Sequence, residues 1–264
     1  MKELTQLGKE AKKLVLEVGD FIRLESKGFS IHNIEHKGFN DLVSYVDKEA
    51  EKRLVNGLRN ILPEAGFIAE EGTASATNEA HKWIIDPLDG TTNFMHGLPV
   101  YSISVALMQT DSLVLGIVYE LNKNELFYAQ KGGGAWLNDD RIFVSPISKL
   151  SESLLATGFP YHNFKRLDTY MDMLAHFMQN THGLRRMGSA AVDLAYVACG
   201  RFEGFFEYNL NPWDVAGGAF IVQEAGGFVT EFNGGDDFLF GKSIIASGAV
   251  KEELFNSIDS IWNH

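Results

Sequence analysis

The sequence predicts a layered fold in two parts, α+β in its first half and α/β in its second. Helix-period patterns open the chain, and short alternating apolar segments separated by turn residues fill residues 101–144, which is typical of an antiparallel meander. Beyond that stretch, strand-like and helix-like segments alternate, as they do in α/β folds. We therefore expect an N-terminal α+β domain with an antiparallel sheet over residues 1–145 and a C-terminal α/β domain over residues 146–264.

The elements of the first half follow from hydrophobic spacing. Apolar residues recur at helical intervals up to about residue 28 and again over residues 43–62, so two amphipathic helices are expected, with a short strand at residues 30–36 between them. Two short apolar runs, residues 66–69 and 82–85, each end directly in acidic residues. These runs predict two strands that carry carboxylates at their C-terminal ends.

The second half contains regularly alternating strand and helix signals. Strands are expected near residues 153–158, 184–187, 202–207, 228 and 244. Helices are expected near residues 165–180, 189–199 and 213–225, and from residue 250 onward.

Composition and charge exclude several classes of protein. The 264 residues contain 23 Lys and Arg against 35 Asp and Glu, for a formal net charge of −12, and such a charge repels nucleic acids and anionic membranes. The single cysteine, Cys199, excludes an internal disulfide and a zinc site built from several thiolates. The sequence lacks the apolar segment of a signal peptide and the run of about 18 apolar residues that a membrane span needs. We therefore expect a cytoplasmic protein that does not bind membranes.

The most informative segment is WIIDPLDGTTNF at residues 83–94. Asp86 and Asp89 leave the end of a predicted strand three residues apart with a proline between them, so their carboxylates can converge on one point. Glu70 ends the neighbouring predicted strand, and Asp214 opens a later predicted helix. If the four carboxylates meet, each pair repels by roughly 4 kcal/mol at an effective dielectric of about 20. An all-oxygen set of this kind favours Mg²⁺, Mn²⁺ or Ca²⁺ as the neutralising cation.

Two such cations about 3.5 to 4 Å apart would activate water and clamp a phosphate group. The backbone N–H groups of residues 90–93, at a predicted helix start, are suited to phosphate oxygens. Taken alone, Asp86 and Asp89 would be turn and cap residues, and Asp47 would be a solvated helix residue in a charged run. The context of residues 83–94 favours the metal-site interpretation for the two aspartates.

Four separated stretches give the chain a resemblance to a known family. They are DLVSYVD at residues 41–47, FIAEE at 67–71, the segment 83–94, and PWDVAG at 212–217. The chain resembles the inositol monophosphatases, which belong to a metal-dependent, lithium-sensitive phosphomonoesterase superfamily that includes fructose-bisphosphatases. Weaker matches at residues 155–160, 188–191 and 224–227 extend the similarity over nearly the whole chain. The resemblance implies a layered αβαβα sandwich of the inositol monophosphatase and fructose-1,6-bisphosphatase type.

The resemblance also implies a role for each matching position. The metal ligands would be the carboxylates of Glu70, Asp86, Asp89 and Asp214 and the backbone carbonyl of Leu88. Asp47 and Thr91 would orient the attacking water, with Glu70 as the third catalytic residue. The substrate would be bound by Gly90, Thr91 and Thr92 at the phosphate, by Gly188, Ser189, Ala190 and Glu207 at the polyol, and by Glu70, Asp89 and Asp214.

The expected reaction is the hydrolysis of a small phosphate monoester, with myo-inositol monophosphate as the first candidate. By resemblance, two or three Mg²⁺ ions would serve as cofactor, Mn²⁺ could replace them, and Li⁺ would inhibit. Thr92 argues against nucleotidase and histidinol-phosphatase relatives, which tend to carry lysine or arginine there. Fructose-1,6-bisphosphatase or a broad sugar-phosphate phosphatase is the alternative within the superfamily.

An alternative from another class is a regulatory, RNA- or transcription-associated binding protein with a secondary phosphatase site. Arg185, Arg186 and Arg201 could form a small basic patch for such a role, although the net charge opposes it. The same arginines are also suited to a dimer interface or to salt bridges, because arginine is enriched at protein interfaces. We expect a homodimer.

Overall fold

Two β-sheets alternate with three helical layers in the computed structural model, which describes residues 3–28, 34–38, 41–72, 79–161 and 165–263. The helices are α1 (Leu4–Ser26), α2 (Tyr45–Ile61), α3 (Thr91–Met95), α4 (Leu167–Asn180), α5 (Ala190–Ala198), α6 (Pro212–Glu224) and α7 (Lys251–Trp262). The first nine strands are β1 (Ile34–Gly38), β2 (Asp41–Ser44), β3 (Gly66–Ala69), β4 (His81–Asp89), β5 (Ser102–Gln109), β6 (Ser112–Glu120), β7 (Glu125–Gln130), β8 (Ala135–Leu137) and β9 (Asp140–Ile142). The remaining strands are β10 (Leu154–Thr157), β11 (Gly183–Arg185), β12 (Gly204–Tyr208), β13 (Phe228–Thr230) and β14 (Ser243–Ser247).

The larger sheet contains the strands of the predicted meander in the order β3-β4-β5-β6-β7-β8-β9. Pairing is antiparallel from β4 to β9, but β3 and β4 run parallel, with Ala69 opposite Ile85. The antiparallel meander expected over residues 101–144 corresponds to β5 to β9, and the parallel pair of β3 and β4 extends the same sheet at one edge. Because parallel strands end at the same edge of a sheet, Glu70 lies beside the end of β4.

The smaller sheet has the order β11-β10-β12-β14-β13. β10 pairs in parallel with both β11 and β12, while β14 is antiparallel to β12 and β13. The strands β1 and β2 form a separate antiparallel pair.

In the described part of the chain, three large hydrophobic cores and one small cluster of Ile84, Ala106, Met108 and Ala216 hold the layers together. One core joins α1 and α2 to the outer face of the larger sheet, as Leu58 and Trp83 illustrate. A second places α5 and α6 between the sheets, with Phe220 on α6 and Phe205 on the smaller sheet. A third joins α4 and α7 to the outer face of the smaller sheet through residues such as Phe206. This order of layers is the expected αβαβα sandwich.

A close approach of two glycines seats α6 on the larger sheet. A Cβ atom added to Gly116 on β6 would lie 2.6 Å from the carbonyl oxygen of Gly217, and one added to Gly217 would lie 2.7 Å from Ser104 Oγ. Any side chain would push the helix away from the sheet. α6 belongs to the C-terminal half of the chain but packs on the sheet of the N-terminal half. The division of the chain into two domains between residues 145 and 146 therefore stays a prediction.

Several predicted boundaries differ from the structure. The second helix begins at Tyr45 rather than residue 43, because Ser44 is its N-cap: Ser44 Oγ accepts from Val46 N at 3.1 Å and Asp47 Oδ2 accepts from Ser44 N at 2.9 Å. Of the strand predicted at residues 30–36, residues 30–33 lie outside the described residues, and the described part belongs to β1.

In the second half, β11 ends at Arg185 instead of residue 187, and a short 3₁₀ helix at Leu150–Glu152 was not predicted. The other helices and strands of this half begin and end within two or three residues of their predicted bounds. Within the described ranges, none of the helices combines the length and the apolar content that crossing a bilayer requires.

Candidate active site

A cavity of about 220 Å³ opens where the C-terminal ends of β3 and β4 face the N-terminal ends of α5 and α6. Seven of the site residues expected from the sequence line this cavity. They are Glu70, Asp89, Gly188, Ser189, Ala190, Glu207 and Asp214. The two sheets and the central helices thus bring together segments that lie far apart in the chain.

Asp86 and Asp89 are positioned by an irregularity within β4. The strand does not end at residue 85 as predicted but continues to Asp89, with a break in register between the two aspartates. Pro87 lies inside this bulge, where proline is tolerated because the ladder is interrupted. Asp86 is 2% exposed, and its Oδ1 accepts a hydrogen bond from Leu88 N at 2.9 Å.

Asp89 links the larger sheet to the start of α5. Its Oδ2 accepts hydrogen bonds from Ser189 Oγ at 2.6 Å and from Ala191 N at 2.7 Å. A helix N-terminus stabilises a carboxylate through free N–H groups and the helix dipole. Asp214 is held in a similar way in the first turn of α6, where its Oδ2 accepts from Asn211 N at 2.6 Å.

The pKa values of these carboxyl groups show that negative charge accumulates here. Burial, and then the charges of Glu70, Asp89 and Asp214, raise the pKa of Asp86 well above its ordinary value. Burial raises the pKa of Asp89 to about 6, against the opposing effect of the Ser189 hydrogen bond. Burial and the charge of Asp89 raise the pKa of Asp214 to about 7. A bound cation would offset this repulsion.

The oxygen-only donor set fits a hard divalent cation. Within the described ranges, however, no three acidic, histidine or cysteine side chains form a ready-made cation-binding group. Like charges at this density favour separation of the carboxylates. Glu70, Asp89 and Asp214 line the cavity, whereas Asp86 and Leu88 lie outside the described lining. The ligand assignment for these five residues therefore rests on their chemistry and on the charge interactions between Asp86 and the other three carboxylates.

Asp47 and Thr91 lie together, as the resemblance implied for the water-orienting pair. Thr91 Oγ1 is 3.0 Å from Asp47 Oδ1 and 3.0 Å from the carbonyl oxygen of Leu88, and its hydroxyl can donate to either. Asp47 is 1% exposed, so the interpretation as a solvated helix residue is wrong. Burial raises its pKa, while hydrogen bonds from Ser44 and Thr91 act in the opposite direction.

The predicted phosphate-binding turn at residues 90–92 begins at a glycine that packs closely against the backbone of Gly188. Gly90 has φ +95° and Gly188 has φ +90°, both in the left-handed region, and a Cβ on Gly90 would lie 3.2 Å from the carbonyl oxygen of Gly188. Asn93 Nδ2 donates to Val100 O and to Met187 O, each at 2.8 Å, and so fixes this turn. Thr92 is exposed on α3 and is outside the described cavity lining.

Glu207 faces the cavity from the smaller sheet. It is 8% exposed, so it is not the solvated strand end that its position alone would allow. Burial, and then the charge of Asp214, raise its pKa well above the ordinary value. A Cβ on Gly158 would lie 2.0 Å from Glu207 Oε1, so glycine at this position leaves room for the carboxylate.

Sequence reasoning missed an acid and an aromatic frame in the same cavity. Asp193 lines it, and so does Arg186, whose guanidinium carbon lies 5.7 Å from the ring centre of Phe159 and 5.3 Å from that of Tyr161. The available signal for Asp193 was a single acid within the otherwise apolar α5 sequence. No comparable signal identified the two rings, because exposed aromatic residues in loops are common.

The three arginines of the hypothetical basic patch have different surroundings. Arg201 forms a two-bond ion pair with Glu125, with N···O distances of 2.6 and 2.7 Å. Arg186 interacts with the cavity carboxylates, and Arg185 donates to the carbonyl oxygen of Leu184. The salt-bridge alternative is thus observed for Arg201.

Comparison with known proteins agrees with the resemblance. A profile of the inositol monophosphatase family matches residues 3–263. A relative from Rhizobium meliloti named inositol-1-monophosphatase is 42% identical over 258 residues, which cover 96% of this chain and 94% of the relative. A relative from Neisseria meningitidis serogroup B named putative Nus factor SuhB is 47% identical over 214 residues, which cover 81% of this chain and 82% of the relative.

Solved structures share the fold. The extragenic suppressor protein suhB from Bartonella henselae has a TM-score of 0.88 at 39% identity and covers 93% of this chain and 95% of its own. An IMPase/NADP phosphatase complexed with NADP and Ca²⁺ has a TM-score of 0.84 at 26% identity, with 97% of this chain and 96% of its own covered. The family profile spans almost the full sequence, and the relatives align over most of their length; the chain belongs to the inositol monophosphatase family.

Proposed function

We propose that this protein is a divalent-cation-dependent phosphatase that hydrolyses small phosphate monoesters, with inositol monophosphate as its preferred substrate. The observation that carries the proposal is the cavity where Asp89, Asp214 and Glu70 converge beside the buried Asp86. Membership of the inositol monophosphatase family supports the reaction class.

The cations would be held by oxygen atoms alone. The proposed ligands are the carboxylates of Glu70, Asp86, Asp89 and Asp214 and the carbonyl of Leu88, for two or three Mg²⁺ ions or Mn²⁺ in their place. When bound, such ions neutralise phosphate oxygens and lower the pKa of a coordinated water molecule. The Ca²⁺ in the structure of the IMPase/NADP phosphatase supports a divalent cation in this fold.

Asp47 and Thr91 would hold the attacking water in line with the phosphate. Because the Thr91 hydroxyl can donate to Asp47 Oδ1, the lone pairs of its oxygen stay available to accept a hydrogen bond from water. On attack, a proton of the water would pass to Thr91 Oγ1 while the original hydroxyl proton of Thr91 passes to Asp47. The backbone N–H groups of the turn at Gly90 would bind phosphate oxygens.

The alcohol portion would occupy the side of the cavity formed by β12 and α5. Glu207 supplies acceptor oxygens for hydroxyl groups, and Gly188 to Ala190 supply backbone groups at the helix start. A second phosphate beside Glu207 would be repelled by the carboxylates around it, which favours a polyol monoester over a sugar bisphosphate.

A phosphate-release assay over a panel of monoesters tests the proposal. With Mg²⁺ present, inositol monophosphate is expected to have a higher kcat/KM than fructose 1,6-bisphosphate, nucleotides or an aryl phosphate. If fructose 1,6-bisphosphate or several sugar phosphates exceed it, the alternative within the superfamily is correct. Absence of phosphate release from every compound would refute a phosphatase function.

The second candidate is a role in transcription, with the phosphatase site secondary. The similarity to proteins named Nus factor SuhB favours it. Against it stands the net charge of −12, and the Arg201 charge is already paired with Glu125. RNA binding measured across a salt series separates the classes: binding that weakens steeply with salt and survives Asp86→Asn would support the second candidate.

A further inference from the structure

One stretch that the sequence analysis matched to the family has no role in the proposed hydrolysis. It is residues 155–160, in which β10 ends at Thr157 and the chain enters the cavity wall through Gly158. Two hydroxyl groups meet at this point, those of Thr157 and of Tyr170 on α4, with their oxygen atoms 2.6 Å apart. Tyr170 is fully buried, Thr157 is 2% exposed, and neither side chain is part of the described cavity lining. Any effect of this pair on the reaction must therefore pass through a neighbour.

The Tyr170 hydroxyl connects α4 to the end of β10. Its oxygen lies 2.9 Å from the carbonyl oxygen of Gly158, and Thr157 Oγ1 lies 2.8 Å from the carbonyl oxygen of Phe206 on β12. When Thr157 donates to Tyr170 and Tyr170 donates to Gly158, both hydroxyl protons are used and the Gly158 carbonyl is paired. Since Gly158 is buried, loss of the Tyr170 hydroxyl would remove a donor from a carbonyl group that water cannot readily reach.

Gly158 in turn borders the Glu207 carboxylate. A Cβ atom on Gly158 would lie 2.0 Å from Glu207 Oε1 and 2.1 Å from Oε2, so the carboxylate packs directly on this glycine. A displacement of Gly158 therefore changes the space in which the carboxylate lies. Phe206 directly precedes Glu207 on β12, so the Thr157 hydroxyl contacts the strand that carries the carboxylate. Burial, and then the charge of Glu207, raise the pKa of Tyr170 well above the ordinary value, so its hydroxyl keeps the proton that it donates.

We propose that Tyr170 is a positioning residue for substrate choice. Through the Gly158 carbonyl it keeps the Glu207 carboxylate where a hydroxyl group of the alcohol portion of the substrate can donate to it. The inference rests on the proposed phosphatase function and adds to it the residue behind the polyol contact. The described hydrogen bonds of the Tyr170 hydroxyl all go to Thr157, Gly158 and Phe206, on the side of the smaller sheet. Its loss should therefore spare the phosphate end of the cavity at β4.

The test compares two substrates in one variant. Tyr170→Phe removes the hydroxyl group and keeps the ring, and kcat and KM are measured with Mg²⁺ for inositol monophosphate and for p-nitrophenyl phosphate, whose alcohol portion has no further hydroxyl group. KM for inositol monophosphate is expected to rise about 2- to 10-fold with little change in kcat, as for a hydrogen bond lost equally from the ground state and the transition state. Both constants for p-nitrophenyl phosphate should stay as in the wild type.

Two further variants separate positioning from stability. Tyr119→Phe is the matched control, because Tyr119 on β6 is also fully buried, its hydroxyl hydrogen-bonds with Arg23 and Asn124, and it is not part of the described cavity lining. It should lower Tm without altering the ratio of the two KM values. Thr157→Val removes the other hydroxyl group of the pair and should also raise KM for inositol monophosphate. The double variant with Tyr170→Phe should be only slightly worse than either single variant, because the two hydroxyl groups act as one unit.

An unchanged KM for inositol monophosphate in a folded Tyr170→Phe or Thr157→Val protein would overturn the inference, and so would equal losses for both substrates, which indicate a disturbed catalytic centre. If the wild type releases phosphate from no monoester, the proposed function fails separately. Calorimetric titration with inositol monophosphate in Ca²⁺ then decides the role of Tyr170: weaker binding by the phenylalanine variant supports it, and equal or absent binding refutes it.

Discussion

Adding one methyl group at Gly158 should displace Glu207 and so remove polyol recognition without destroying the fold. The Cβ atom of Gly158→Ala would lie 2.0 Å from Glu207 Oε1 and 2.1 Å from both Cδ and Oε2. To restore an ordinary contact of about 3.4 Å, the carboxylate must withdraw by about 1.4 Å. The Glu207 carboxylate borders the cavity, so it can move there while β12 keeps its place.

A shift of this size exceeds the tolerance of a hydrogen bond, so the contact with a substrate hydroxyl group is lost. The loss of one bond to a charged group is about 1 to 3 kcal/mol, which predicts a decrease of about 5- to 150-fold in kcat/KM for inositol monophosphate. The same measurement with p-nitrophenyl phosphate should show a much smaller decrease. Overpacking costs about 1 to 3 kcal/mol at most, because the displaced atoms are the end of a side chain.

Gly57→Ala is the matched control for this prediction. Its Cβ would also meet the end of a side chain, at 2.5 Å from Leu14 Cδ1, but on α2 and distant from the cavity. It should alter Tm without altering the ratio of the two substrates. If Gly158→Ala is folded and hydrolyses inositol monophosphate like the wild type, Glu207 does not bind the polyol and the reasoning fails.

Three further outcomes are expected. Asp47→Asn and Thr91→Ala should each lower kcat with little change in KM. The double variant should be far less impaired than the product of the two single effects, because the side chains act as one unit. Full additivity of the two effects in steady-state kinetics would show that the side chains do not share a water. In EDTA, thermal unfolding should reveal a decrease in stability as pH rises from about 4 to 7: the raised pKa values of Asp89 and Asp214 mean that the folded state binds more protons than the unfolded state in this range. Mg²⁺ should reduce that dependence, and an identical pH profile with and without Mg²⁺ would argue against cation binding at these carboxylates. Li⁺ should inhibit phosphate release and lose potency as Mg²⁺ is raised, if the two cations compete for one position; inhibition independent of Mg²⁺ would contradict this.

Short-range sequence patterns predict the helices and strands well where burial or turn chemistry alone determines them. The helical periods of α1 and α4 reflect burial of one face, which sequence spacing reports directly, and the turn residues between β5 and β9 mark the ends of those strands. The start of α2 was placed too early because the capping box at Ser44 and Asp47 was read as part of the helical pattern. The same polar residue types occur at the N-cap and in the first turn of a helix, so residue type alone does not show where the helix begins.

The candidate site was predictable to the extent that its residues lie at element ends. Asp89 and Asp214 follow this rule, and the structure places both in one cavity. The bulge that carries β4 through Asp86 was not predicted, because a break in register depends on the pairing strand and not on the local sequence. Asp193 was missed for a similar reason: its place in the cavity lining depends on how α5 packs and not on the local sequence.

The requirement for the carboxylate cluster is tested most directly by phosphate release from inositol monophosphate, measured for the wild type and for Asp86→Asn with and without Mg²⁺. The substitution keeps the shape of a side chain that is 2% exposed and removes its charge. We expect full dependence on Mg²⁺ in the wild type, reversible loss in EDTA, and a fall in kcat of more than about 10³ in the variant, beyond the loss typical of a single preorganised donor. Wild-type turnover that persists after complete chelation, or Asp86→Asn turnover equal to the wild type, would contradict a cation-dependent phosphatase site.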